Sequence, residues 1–184
     1  MISGGFHSAI EIILACSTPE DVAARYFQHP AHVAAAKIVD PLIEDAWAMD
    51  WLEDRDVLVV PSATQAVMKH ICFFKWEDGT TKAQQRALFR EWKGLVRSMG
   101  HCVAVSCGEA VRWAHGEKRG FDAGLVVDLA LSSSDGMSEI SDYAFSDEYQ
   151  QINDGFLAPI RKDYVVMDFA EHRLGMGAGA TSKL

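Results

Sequence analysis

The residues with the clearest chemical potential lie in one run, Tyr26-Phe27-Gln28-His29-Pro30-Ala31-His32. His29 and His32 are three apart, a spacing that can bring two imidazoles to one side of a helix and offer them to a metal ion. A third ligand is lacking beyond Asp40, so neither a metal site nor a cofactor is expected. The structural alternative is a corner between two helices. Pro30 ends the first, because a residue before proline avoids the α region, and the His29 ring packs over the turn. Another histidine, His70, alternates with apolar neighbours in Val67 to Trp76, where a lone histidine can equally be a hydrogen-bonded core group.

The frame around the first run returns later in the chain. Asp40-Pro41-Leu42 and Ala48-Met49-Asp50-Trp51 follow it, and Tyr143, Tyr149, Ala158-Pro159-Ile160 and Val166-Met167-Asp168-Phe169 repeat the order. Two copies of one module are therefore expected, and an internal repeat governs how everything else is read.

The elements that must position these residues follow from periodicity and punctuation. Ser8 to Cys16 reads as a strand, and Thr18-Pro19-Glu20-Asp21 opens a helix with a cap, a proline and acidic residues suited to its dipole. A second helix runs from Ala31 to about Glu44, with Pro41 as a kink or an early end. Ala46 to Trp51 is a strand. Glu53 to Gln65 reads as a linker in which Val57 to Val60 could pair at a sheet edge.

Val67 to Trp76 is a strand apolar on both faces, as in a sheet covered on both sides. Thr80 or Thr81 caps a helix to about Met99, with Ala83, Ala87, Leu88, Trp92, Leu95, Val96 and Met99 as its apolar stripe. His101 to Cys107 and Phe121 to Leu131 are strands, joined by a polar loop whose Gly116 and Gly120 match no nucleotide fingerprint. Helix, helix and strand then repeat to Phe169. The second copy is whole, and the first corresponds only to the second half of a module.

Composition sets the class. The 184 residues are 49% hydrophobic and 23% charged, which suits a folded globular chain. A net charge of −9 disfavours nucleic-acid and anionic-membrane partners. Cys16, Cys72, Cys102 and Cys107 sit in apolar runs without CxxC spacing, as reduced buried residues do. No secretory signal is visible, and no apolar run reaches the roughly 18 residues of a membrane span.

Residues 66 to 171 resemble a whole domain of the stress-responsive dimeric α/β-barrel family. Val67-Met68-Lys69-His70 and Phe74-Lys75 look like its opening strand, Gly108-Glu109 like its β-turn and Asp168-Phe169 like its closing strand. Residues 6 to 53 resemble the second half of another, with Tyr26-x-x-His29-Pro30-x-His32 as the most specific motif. The tandem arrangement is most similar to plant and green-algal peroxisomal members. The resemblance implies an α+β, ferredoxin-like βαββαβ fold, with tandem modules of which the first is incomplete. It also implies sheets paired face to face, within the chain or in a homodimer.

The resemblance carries site residues too. In the family's plant polyketide cyclase, a strand histidine, a tyrosine and the last histidine of Y-x-x-H-P-x-H line one pocket. There a histidine can abstract a proton next to a carbonyl while the tyrosine holds the enolate oxygen. By position these are His70, Tyr26 and His32, divided between the copies. The whole copy instead has Tyr143, with Tyr149 in the place of the last histidine, and Phe74, Tyr143 and Tyr149 are its pocket candidates. A protein binding a small apolar molecule is expected, with a cyclase- or lyase-like enzyme and a structural assembly protein as alternatives.

In residues 172 to 184, Gly175 to Ala180 cannot pack a core and would present Ser182-Lys183-Leu184 to a peroxisomal import receptor. The expected location is the peroxisome.

Overall fold

The computed structural model describes residues 25–42, 51, 54–59, 65–110, 120–132 and 137–171. The expected strand over 8–16, most of that over 46–51, part of the linker, the loop over 111–119 and the targeting tail lie outside the described residues. Residues 25–42 belong to one compact unit, and the described residues from 51 onward to another.

In the first unit, helix α1 spans Pro30–Val39 and tightens into a 3₁₀ turn over Asp40–Leu42. Pro30 occupies the start of the helix, where its missing N–H costs nothing. The helix expected to reach Glu44 changes to the tighter turn at Asp40, next to Pro41, which lacks the N–H to continue the ladder.

The second unit is a five-stranded antiparallel sheet built from β1 (Asp54–Val57), β2 (Val67–Trp76), β3 (Cys102–Glu109), β4 (Ala123–Ala130) and β5 (Arg161–Glu171), in the order β1-β3-β4-β2-β5. Without β1 this is the ferredoxin-like order, the opening strand lying between the third and the last. Helix α2 (Lys82–Ser98) joins β2 to β3. Helices α3 (Met137–Ala144) and α4 (Asp147–Ile152) and a π turn over Asn153–Leu157 join β4 to β5.

Three expectations change. Asp54–Val57, assigned to the linker, is a strand on the β3 edge, and Leu58 N and Val59 N both donate to Val103 O beyond it. Asp56 holds that edge to α2 through Arg97 at 2.5 Å. Gly108 and Glu109, expected to turn, extend β3 opposite Gly124 and Ala123. On α2, Ala83 is exposed, while Gln85 and Phe89 are buried with Leu88, Trp92, Leu95 and Val96. The larger Phe89 fills the space over Phe74 and Trp76, at 6.5 and 6.3 Å between ring centroids.

Alternation along β2 decides what faces what. Met68, Cys72, Phe74 and Trp76 join the helix-side core with Leu88, Trp92, Val105, Leu125, Val127 and Leu157. Lys69, Ile71 and Phe73 point the other way and are buried as well, with a Lys69–Asp128 ion pair of 2.8 Å. Trp51 sits on that reverse side, 6.4 Å from Phe73, and its indole N–H donates to Ser106 Oγ.

Thr81 starts α2 with a capping box: its hydroxyl accepts from Gln84 N and the Gln84 side chain accepts from Thr81 N. Thr81→Ala is expected to cost about 1 kcal/mol in urea unfolding. An unchanged midpoint would mean that the box contributes nothing.

Candidate functional site

His70 projects from the middle of β2 toward the helices, and the antiparallel register sets Asp168 of β5 directly opposite it. The two side chains meet, with His70 Nδ1 2.7 Å from Asp168 Oδ1. Two residues on along β2, and so on the same face, Cys72 Sγ lies 3.2 Å from His70 Nε2. Both ring nitrogens are thereby engaged. His70 and Cys72 are 3% and 1% exposed, whereas the Asp168 side chain retains 38% of its exposure.

Burial opposes charge on the His70 ring, but the Cys72 sulfur and the Asp168 carboxylate outweigh it. Its pKa rises from an ordinary 6.5 to about 10. At neutral pH such a ring holds its proton.

The roof is aromatic. The Tyr143 ring of α3 meets His70 edge-on at 5.2 Å and Tyr149 of α4 at 5.1 Å, and Tyr149 lies 6.3 Å from Trp92 of α2. Phe74 continues the surface, stacking on Trp76 and tilting over Trp92, each at 5.4 Å. The Tyr143 hydroxyl and the Trp92 indole N–H, both buried, lie within reach of one another without completing a hydrogen bond, and the hydroxyl hydrogen has no acceptor among the described residues. Burial drives the Tyr143 hydroxyl pKa well up, as does the nearby Cys72 sulfur, so the hydroxyl keeps its proton. Glu139 braces α3 from below. It accepts from the Ser132 hydroxyl and N–H and from the Ser138 hydroxyl, which pull its pKa down to about 2.

The second unit thus brings together His70, Tyr143, Tyr149 and Phe74. Tyr26 and His32 belong to the first unit, where their rings meet at 4.4 Å. There His29 Nδ1 accepts from Ala31 N at 3.2 Å, capping α1, so the corner is held by a cap rather than by a ring merely lying over it. The corner before α4 is built alike. Ser146, three residues after its tyrosine as His29 is, caps the helix, and Tyr149 packs on Tyr143 as His32 packs on Tyr26.

Sequence reasoning missed Asp168, Cys72 and Trp92 as parts of this site. Pairing the first and last strands of a ferredoxin-like sheet would have set Asp168 opposite His70. Alternation along β2 sets Cys72 on the face of His70 but does not mark it as part of a site. No group of three or more His, Cys, Asp or Glu that could hold a metal occurs among the described residues. Nor is any described helix long and apolar enough to cross a membrane.

Comparison with known proteins agrees with this architecture. Residues 68–171 match the stress responsive A/B barrel domain. Among solved structures, hydroxynitrile lyase from Passiflora edulis is similar at 13% identity over 58% of this chain and 94% of its own, with a TM-score of 0.51. A protein from Arabidopsis thaliana is similar at 16% identity over 59% and 99%, with a TM-score of 0.49. A dimeric ferredoxin-like protein of unknown function from Thermobifida fusca shares 22% identity over 59% and 93%, with a TM-score of 0.47. At these identities the likeness is one of fold. No curated protein matched the chain.

Proposed function

This chain belongs to the stress-responsive A/B barrel domain family, and from that premise we propose that the helix-facing interior of its sheet binds a small, largely apolar molecule carrying one carbonyl oxygen. The observation that carries the reading is the Tyr143 O–H, fully buried and with no acceptor among the described residues. An unsatisfied buried donor costs roughly 1–3 kcal/mol, which a ligand oxygen would recover. Trp92 N–H lies beside the Tyr143 oxygen as a second donor, and the surrounding rings supply apolar contact.

Thermal unfolding with a panel of aliphatic and aromatic ketones tests this. At least one ketone is expected to raise the Tm of the wild-type chain, and Tyr143→Phe to lose most of that rise. An equal rise in Tyr143→Phe, or no rise with any ketone, contradicts the reading.

The rival, a cyclase- or lyase-like enzyme using a His/Tyr pair, draws support from the Asp168-held ring and from a fold shared with a lyase. Proton abstraction needs a neutral imidazole, however, and a ring with a pKa of about 10 is protonated near neutrality. That state favours holding an oxygen over removing a proton. Tyr26 and His32, the other residues carried over from the cyclase, serve in this reading to pack the corner before α1.

The apolar Ile71 and Phe73 on the reverse face of the sheet suit pairing with a second barrel sheet, from the same chain or from another copy. Ser182-Lys183-Leu184 supports a peroxisomal address. Residues 173–184 fused behind a fluorescent protein are expected to direct it to peroxisomes, and a diffuse cytosolic signal would refute that.

A further inference from the structure

We propose that Cys72, with His70 and Asp168 behind it, is a reactive thiol site that adds to soft electrophiles of the α,β-unsaturated carbonyl class. The proposal rests on the ligand reading above, because the electrophile must enter the same interior. Three features carry it.

The first is alignment. Cys72 Sγ, His70 Nε2, His70 Nδ1 and Asp168 Oδ1 form one chain with links of 3.2 and 2.7 Å, a nucleophile beside a protonated imidazole that a carboxylate orients. Alternation on β2 and the β2–β5 register set all three residues on one face. The second is the Tyr143 O–H, buried, without an acceptor among the described residues and attached to a ring that touches His70, where it can donate to an electrophile's carbonyl oxygen. The third is access. Tyr164 and Val166, on the same face of β5 and opposite Phe74 and Cys72, are 44% and 37% exposed, so the approach runs over β5 toward Asp168.

The step needs no oxidant. The proton that leaves the Cys72 sulfur passes to water, while the charged His70 ring donates Nε2–H to the sulfur and Asp168 holds the Nδ1–H. The sulfur electron pair forms a bond to the β-carbon, the carbon–carbon π bond breaks, and its electrons pass onto the carbonyl oxygen, where Tyr143 donates. Nε2–H then gives its proton to the α-carbon, and the ring takes one back from water. A thioether and a neutral carbonyl result, and the proton the thiol loses to water balances the one the ring recovers.

N-ethylmaleimide belongs to this class and serves as the probe on the full chain, with peptide mass spectrometry resolving each cysteine. Cys102 is the internal control, because burial pushes its thiol up to about 12. Cys72 is expected to react faster than Cys102 by roughly 10-fold or more, and His70→Gln to slow Cys72 by roughly 100-fold. Asp168→Asn, which alters a partly exposed carboxylate, is expected to slow Cys72 and shift its pH–rate profile while leaving Cys102 unchanged. Mere loosening would instead speed both cysteines together.

Cys72 reacting no faster than Cys102, or both accelerating alike in the variants, overturns the proposal. Ketone-induced stabilisation that persists in wild type and Cys72→Ser beside an inert Cys72 removes this proposal and leaves the binding reading standing. Loss of both removes both.

Discussion

Trp92→Ala is expected to destabilise the protein by about 3–5 kcal/mol, the range for deleting a large buried aromatic. Trp92 is 1% exposed and bridges the two halves of the helix-side core, with its ring against Phe74 of β2 and Tyr149 of α4. Its removal opens a cavity beneath α2 and frees Tyr149, so the aromatic roof over His70 loosens together with the fold. Urea unfolding measures the loss. Trp92→Leu, which retains part of the volume, keeps the comparison open should the alanine variant fail to fold. A loss below about 1 kcal/mol in both variants would contradict the central position given to this ring.

The second large effect is on pH dependence, through His70. Its pKa is raised in the folded chain to about 10 and returns to about 6.5 when unfolded. Below 6.5 both states carry the proton and the stabilisation is fully present. Between 6.5 and 10 the folded state binds more protons than the unfolded one, so stability falls as pH rises, and the contribution is gone above 10. The amount is on the order of a few kcal/mol. Stability of the wild type is therefore expected to decline more steeply between pH 7 and 10 than that of His70→Gln. Other groups titrate in the same window in both proteins, so the difference in slope isolates the ring. Parallel slopes would show that Asp168 and Cys72 do not hold the proton there.

Much of the fold was legible because its signals are local. Val67–Trp76 is apolar on both faces and has the bounds that its pattern gave, and Thr81 followed by Gln84 encodes its own cap. The β1 edge was harder to place, since Asp54 to Val57 carries three charges and acquires strand geometry only by pairing with β3. Strand β5 is longer than its apolar core, for the same reason: Arg161 to Asp163 are polar and are held in the sheet by β2.

The site divides in the same way. His70, Tyr143, Tyr149 and Phe74 could be named from spacing and resemblance. Asp168 could not, because only the register of two strands distant in sequence brings it to His70. Cys72 read as an inert apolar residue for want of that neighbour. Tyr26 and His32 have the more recognisable motif, yet what their unit displays is a capped corner.

The central claim is that a ligand's oxygen is received beside His70, beneath Tyr143. Long-range ¹⁵N–¹H correlation of the histidine side chains, recorded at neutral pH with and without a stabilising ketone, tests it most directly. The account predicts a His70 ring protonated on both nitrogens, whose resonances move when the ketone is added and stay still in Tyr143→Phe. A His70 that titrates near its ordinary 6.5, or ketone-induced shifts confined to His29 and His32, would contradict it.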